Sequence, residues 1–101
     1  MTEFQIKKTP YANLILPVES SDGIQKWLID NEEIWDKYVI DALENYMTNQ
    51  SVLVEAGAYC GDHTIYLSKK CQFVLAFEPF RKYYYQLCGN LFINNCENVE
   101  A

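Results

Sequence analysis

The sequence predicts an α/β fold built on a parallel, doubly wound sheet, led in by a hairpin and a helix. Three observations predict it. Val52-Leu53-Val54 and Phe73-Val74-Leu75-Ala76-Phe77 are short, continuous apolar runs, as expected of strands covered on both faces. Each is followed by a segment of helical character, giving the order strand, helix, strand, helix. The first run also ends directly in a glycine-containing loop.

Element by element, Phe4 to Lys7 and Ala12 to Leu16 are apolar-rich and separated by Thr9-Pro10-Tyr11, which suits two strands of a hairpin. Pro17 and Ser20-Ser21-Asp22-Gly23 interrupt that pattern. Ile24, Trp27 and Leu28 follow at helical spacing, with Ser21 or Asp22 available as the N-cap. Ile34, Tyr38, Leu43 and Met47, flanked by Trp35, Val39 and Ala42, form an apolar stripe opposite Glu33, Asp36, Lys37, Asp41 and Glu44, so a helix is expected from about Asn31 to Met47. Its acids are expected on a solvated face rather than in a site. Asn49-Gln50-Ser51 has the form of a glycosylation sequon but is expected to be a turn. Gly61 to Lys69 and Arg81 to about Asn94 are the two helices that alternate with the strands. The whole is expected to be one partial domain over 1–101, with a hairpin and helical lead-in over 1–50 and the first half of the sheet core over 51–101.

The bulk numbers narrow the function. A chain of 101 residues, half of them apolar, can build one core but not two. The net charge is −6, and the first fifty residues carry nine acids against four bases, a balance that repels a phosphate backbone; nucleic acid is therefore not the expected partner. No apolar run approaches the roughly 20 residues that span a bilayer, so a soluble, cytoplasmic chain without a membrane partner is expected. Cys60, Cys71, Cys88 and Cys96 are too irregularly spaced for a compact metal site, and His63 is the only histidine. Reduced structural thiols and no metal are the expectation.

The chemistry lies in Val54-Glu55-Ala56-Gly57-Ala58-Tyr59-Cys60-Gly61-Asp62-His63-Thr64. An acid ends the strand, Gly57 follows two residues on, and Gly61 opens the next helix. Gly57 can take backbone angles closed to other residues and lets a ligand approach the main chain, while Gly61 allows the helix to pack closely against the strand. Glu55, at the carboxyl end of a parallel strand, is expected to point into the ligand crevice of such a sheet. A dinucleotide loop would show G-x-G-x-x-G, and here the middle glycine is missing. An acid with G-x-x-x-G suits a cofactor without phosphates whose sulfonium and ammonium groups favour carboxylate and carbonyl oxygens, as in S-adenosylmethionine (SAM). Glu78 ends the second strand, 23 positions after Glu55, where a carboxylate can accept both hydroxyls of a ribose.

Taken with Ala76-Phe77-Glu78-Pro79, the 54–64 segment resembles the motif of the FkbM methyltransferases, in which an acid, Gly-Ala-Asn, an apolar residue and Gly precede a polar residue, His and Thr. The likeness is most specific over residues 52–79, and the hairpin and helix before it and the Asn94-Asn95-Cys96-Glu97-Asn98-Val99-Glu100 stretch after it continue the pattern. The resemblance implies a Rossmann-like class I methyltransferase fold, SAM as methyl donor, and O-methylation of a small-molecule or glycan acceptor. It implies a cofactor site made by Glu55, Gly57, Ala58, Tyr59, Gly61, His63, Thr64 and Glu78. Tyr59 stands where the family commonly has Asn, and Glu55 where Asp is more common. No catalytic base is identified.

His63 is expected to shape the pocket or to hydrogen-bond rather than to bind metal. Of Tyr83, Tyr84 and Tyr85, consecutive on one helix, one or two are expected to face the core and the rest the surface. The family pattern runs on beyond Val99-Glu100 into a third strand and the groups that hold the acceptor. With only two strands the first would keep a free edge, through which a homodimer or an interaction role becomes the alternative to an enzyme module.

Overall fold

The computed structural model describes residues 2–101. A hairpin of β1 (Phe4–Lys8) and β2 (Asn13–Pro17) is followed by α1 (Gly23–Asp30) and α2 (Lys37–Glu44). Then come β3 (Val52–Ala56), α3 (Asp62–Ser68), β4 (Phe73–Phe77), α4 (Arg81–Ile93) and β5 (Val99–Glu100). The hairpin is antiparallel, with Ile6 opposite Ile15. The second sheet is parallel, in the order β3-β4-β5, with Val54 opposite Leu75 and Val74 opposite Val99. The third strand is therefore already begun at Val99, one strand more than the two-strand expectation.

The Thr9 N–H donates to the Ala12 carbonyl and the Thr9 hydroxyl to the same oxygen, closing the hairpin turn. Asp22 is the N-cap of α1, its Oδ1 accepting the N–H groups of Ile24 and Gln25 at 3.0 Å each. At the other end the Lys7 ammonium reaches across from β1 and donates to the carbonyls of Leu28, Ile29 and Asn31 at 3.0, 2.6 and 2.7 Å. A cation there satisfies the orphan carbonyls of the last turn and complements the negative end of the helix dipole. The Thr48–Ser51 segment is a turn, as expected, with the Ser51 N–H donating to the Thr48 carbonyl.

The expected long helix over 31–47 is only α2, eight residues long. Asp36 takes a left-handed conformation, φ 51°, and breaks the pattern just before α2. Tertiary contacts explain the break. The Trp35 ring packs edge-on against Trp27, with ring centroids 5.3 Å apart, and the Trp35 carbonyl is held by His63 rather than by the next helical turn. The predicted stripe is correspondingly displaced. Ile34 and Ile40 are buried, whereas Tyr38 is 75% exposed.

The hairpin does not join the parallel sheet; it docks on α4. Gln86, Asn90 and Asn94 lie four residues apart along one side of α4 and offer their side-chain amides to β2. The Ile15 N–H donates to Asn90 Oδ1 and the Gln86 amide to the Ile15 carbonyl. The Asn13 N–H donates to Asn94 Oδ1 and the Asn94 amide to the Asn13 carbonyl. A row of helix side chains thus satisfies backbone groups that a strand edge would otherwise leave open. Leu14 and Leu16 of β2 are fully buried in the same cluster as Leu28, Ile65, Val74 and Leu87. Burying each of these side chains stabilises the fold by about 1.5–3 kcal/mol.

The parallel sheet is covered on one face only among the described residues. With strand order β3-β4-β5, right-handed crossovers put α3 and α4 on the same side. Val74 and Ala76 are buried on that side, whereas Val52, Val54 and Phe77 on the other are 58%, 62% and 57% exposed. The expectation that β3 is covered on both faces therefore fails here, and its outer edge is unpaired.

Candidate cofactor site

Two groups of residues meet at the carboxyl ends of β3 and β4. The first is the loop itself. Gly57 has φ +80°, and a Cβ placed there would meet nothing within 4 Å, so the space over its main chain is open. The N–H groups of Gly57 and Ala58 donate to the Phe77 carbonyl at 2.8 and 2.9 Å, tying the loop to the end of β4. Ala58 is buried beneath it.

Tyr59 is left-handed, φ 58°. A residue with a Cβ pays roughly 1–2 kcal/mol for that conformation, and Asn tolerates it best among non-glycines. Tyr59 is held in that conformation by its contacts. Its N–H donates to Glu78 Oε1 at 2.7 Å, and its hydroxyl donates to Asp22 Oδ1 at 2.9 Å. Its ring lies 4.5 Å from that of Tyr83, which donates its own hydroxyl to Asp22 Oδ2 at 2.7 Å.

Glu78 accepts a second backbone bond, from the Phe80 N–H to Oε2 at 2.9 Å. Each carboxylate oxygen therefore has one main-chain donor. A carboxylate has about four lone-pair positions, so each oxygen keeps capacity for one more donor, the number that two vicinal hydroxyls would supply. A shallow, open depression of about 380 Å³ lined by Glu78, Pro79, Arg81, Tyr84 and Tyr85 lies beside it.

The second group lies under the N-terminus of α3. Glu55 does not stand free in the crevice; its carboxylate accepts the hydroxyl of Thr64 in the first turn of α3. Burial pushes the Glu55 carboxyl up, and the Thr64 bond opposes that shift. His63 hydrogen-bonds the Trp35 carbonyl through Nε2 and so pins the segment before α2. Gly61, φ +92°, caps α3, and a Cβ there would come within 2.7 Å of Leu87 Cδ1. Its smallness serves the approach of α4, not the approach of α3 to the strand that the sequence suggested.

Asp62 has no distinguishing sequence signal, yet it is buried, with Oδ2 lacking any hydrogen-bond partner, and burial raises its carboxyl above the ordinary range. Asp22 and Tyr83 were likewise missed as parts of the site. Asp22 carries the sequence signal of a helix cap, and its use as a phenol acceptor has none because Tyr59 and Tyr83 lie 37 and 61 positions away. Burial raises the Asp22 carboxyl, but the bonds from Gln25 N–H, the two tyrosines and Ile24 N–H outweigh it and hold the group below its ordinary value. Tyr84 is half-buried and Tyr85 is 65% exposed, in line with the mixed role expected of the three tyrosines. The four cysteines are free thiols, and among the described residues no group of three acids, histidines or cysteines could hold a metal. No described helix is long and apolar enough to cross a membrane.

No protein-family model matches the chain, and no curated protein matches it in sequence. Solved structures do match. The chain is similar to TYW2 of M. jannaschii, solved in complex with AdoMet, with a TM-score of 0.69 at 24% identity over 96% of this chain and 41% of that one. It is similar to Trm5b of Pyrococcus abyssi, with a TM-score of 0.67 at 19% identity over 96% of this chain and 27% of that one. It is also similar to an rRNA methylase from Streptococcus thermophilus, with a TM-score of 0.60 at 23% identity over 63% of this chain and 36% of that one. The chain thus has the Rossmann-like α/β fold of methyltransferases and spans between 27% and 41% of the length of these three structures.

Proposed function

We propose that this chain is the SAM-binding portion of a methyltransferase of the FkbM type, which in its complete form O-methylates a small molecule or glycan. The observation that carries the reading is Glu78, held by the N–H groups of Tyr59 and Phe80 at the end of β4 with one acceptor position left on each oxygen. Gly57 leaves the adjoining main chain open to a ligand, and the residues present therefore fit an adenosyl group. Glu78 would hold the ribose hydroxyls, while Gly57 and Ala58 would line the methionyl end with main-chain atoms. When bound, SAM supplies an electrophilic methyl group on a sulfonium. The chain's own part is to bind and orient it, because fixing the reactants in place removes much of the entropic barrier to transfer. The acidic balance of the chain favours an uncharged hydroxyl acceptor over a polyanion. Titration calorimetry with SAM and its demethylated product S-adenosylhomocysteine (SAH) tests the reading. Saturable binding, weakened at least tenfold in Glu78→Ala, supports it; a folded chain that binds neither overturns it.

A second reading is favoured by the unpaired edge of β3 and the exposed Val52, Val54 and Phe77 beside it. It treats the chain as a catalytically inactive relative that pairs with a second copy through that edge. Light scattering separates the two: a dimer dispersed by Val54→Lys, together with no adenosyl binding, favours the interaction module.

A further inference from the structure

Asp22 carries more donors than helix capping requires. Its Oδ1 accepts the N–H groups of Ile24 and Gln25 and the hydroxyl of Tyr59, and its Oδ2 accepts the hydroxyl of Tyr83. A serine or asparagine caps a helix about as well as an aspartate. Two phenols arriving from two other elements call for two carboxylate oxygens.

We propose that Asp22 is a positioning residue of the candidate site, holding Tyr59, and through it the Gly57–Gly61 loop and Glu78, in a ligand-ready arrangement. The inference rests on the reading of that loop as the adenosyl site. Tyr59 sits midway between Gly57 and Gly61 with a left-handed backbone, and its main-chain N–H is aimed at Glu78 Oε1. Nothing in the intrinsic preference of tyrosine favours that conformation. What holds it is the side chain: the hydroxyl is fixed on Asp22 and the ring is packed on Tyr83, itself fixed on Asp22 and packed against Phe80 at 5.0 Å. Releasing the hydroxyl frees the ring, lets the backbone relax and removes one of the two main-chain donors that orient Glu78. The lead-in hairpin and α1 are thereby tied to the site, since Asp22 is held by the fold of α1 and not by the loop.

Amide hydrogen exchange of the ligand-free chain and SAH affinity test the proposal together, in Asp22→Ser, Tyr59→Phe and the double variant. Serine keeps the cap of α1 but is too short to hold both phenols, and phenylalanine removes a single oxygen. The Tyr59 amide is expected to exchange at least tenfold faster in each single variant and no faster in the double, while the Leu28 and Ile29 amides of α1 keep their protection. SAH affinity is expected to fall about tenfold in each and no further in the double. An unchanged Tyr59 amide in Tyr59→Phe overturns the proposal, as does a double variant whose losses are the product of the singles. If Asp22→Ser fails to fold, Tyr59→Phe decides alone. A wild-type chain that ignores SAH sinks the adenosyl reading, whereas the exchange data still decide whether Asp22 positions the loop.

Discussion

Asn90→Ala should be among the most damaging single substitutions in this chain, even though it removes only a small polar group. Asn90 is fully buried in α4 and joins three parts of the molecule. Its Oδ1 accepts the Ile15 N–H of the hairpin, and its Nδ2 donates to the Cys60 carbonyl in the loop at 2.8 Å. Alanine leaves that N–H and that carbonyl without their partner in the interior. An orphaned buried group costs about 1–3 kcal/mol, so two give about 2–6 kcal/mol, a large share of the 5–15 kcal/mol typical of a domain. At about 4–8 °C per kcal/mol for a chain of this size, the melting temperature should fall by at least about 8 °C. Asn90→Asp separates the two bonds, since it keeps an acceptor for Ile15 and loses the donor to Cys60. Thermal unfolding followed by far-ultraviolet circular dichroism reads all three proteins. A loss below about 1 kcal/mol in Asn90→Ala would refute the idea that the amide row on α4 holds the hairpin.

Three further substitutions test other parts of the account. Gly61→Ala should cost about 2–4 kcal/mol in the same assay, because it adds a left-handed alanine to a contact of 2.7 Å with Leu87 Cδ1 that must open. Lys7→Met keeps the aliphatic stem but withdraws the cation from the carbonyls of Leu28, Ile29 and Asn31 at the end of α1, and a loss of about 1–3 kcal/mol is expected. Asp62→Asn should change the pH dependence. Burial raises the folded Asp62 carboxyl above its unfolded value near 4, so between those two values the folded state binds the extra proton and stability falls as pH rises. The asparagine variant should lack that fall and be at least as stable as wild type at neutral pH; denaturant midpoints measured from pH 4 to 8 check it.

Much of the fold was legible because the relevant signals are local. The runs Val52–Val54 and Phe73–Phe77, the hairpin and α4 follow from short-range pattern, and the glycine positions marked the loop correctly. The helix expected over 31–47 stops short because Trp35 is drawn onto Trp27 and His63, a tertiary effect that the local apolar stripe does not encode. The apolar run of β3 suggested burial on both faces, but composition cannot say whether a second layer is supplied, and here Val52 and Val54 stay open. Within the site, Glu78, Gly57 and Gly61 stand out through spacing alone. Asp22, Tyr83 and Asn90 do not, because each acts through a bond to residues at least 30 positions away. The role of Gly61 was placed on the wrong neighbour for the same reason: Leu87 belongs to a later helix.

The central claim is that an adenosyl ligand sits between Gly57 and Glu78, and nitrogen-15 NMR of the chain titrated with SAH tests it most directly. The account predicts saturable shifts at the amides of Gly57, Ala58, Tyr59 and Phe80, lost in Glu78→Ala, with the hairpin amides Ile6 and Leu14 unmoved. Shifts confined to the hairpin, or no shifts at millimolar SAH in a folded chain, would contradict it.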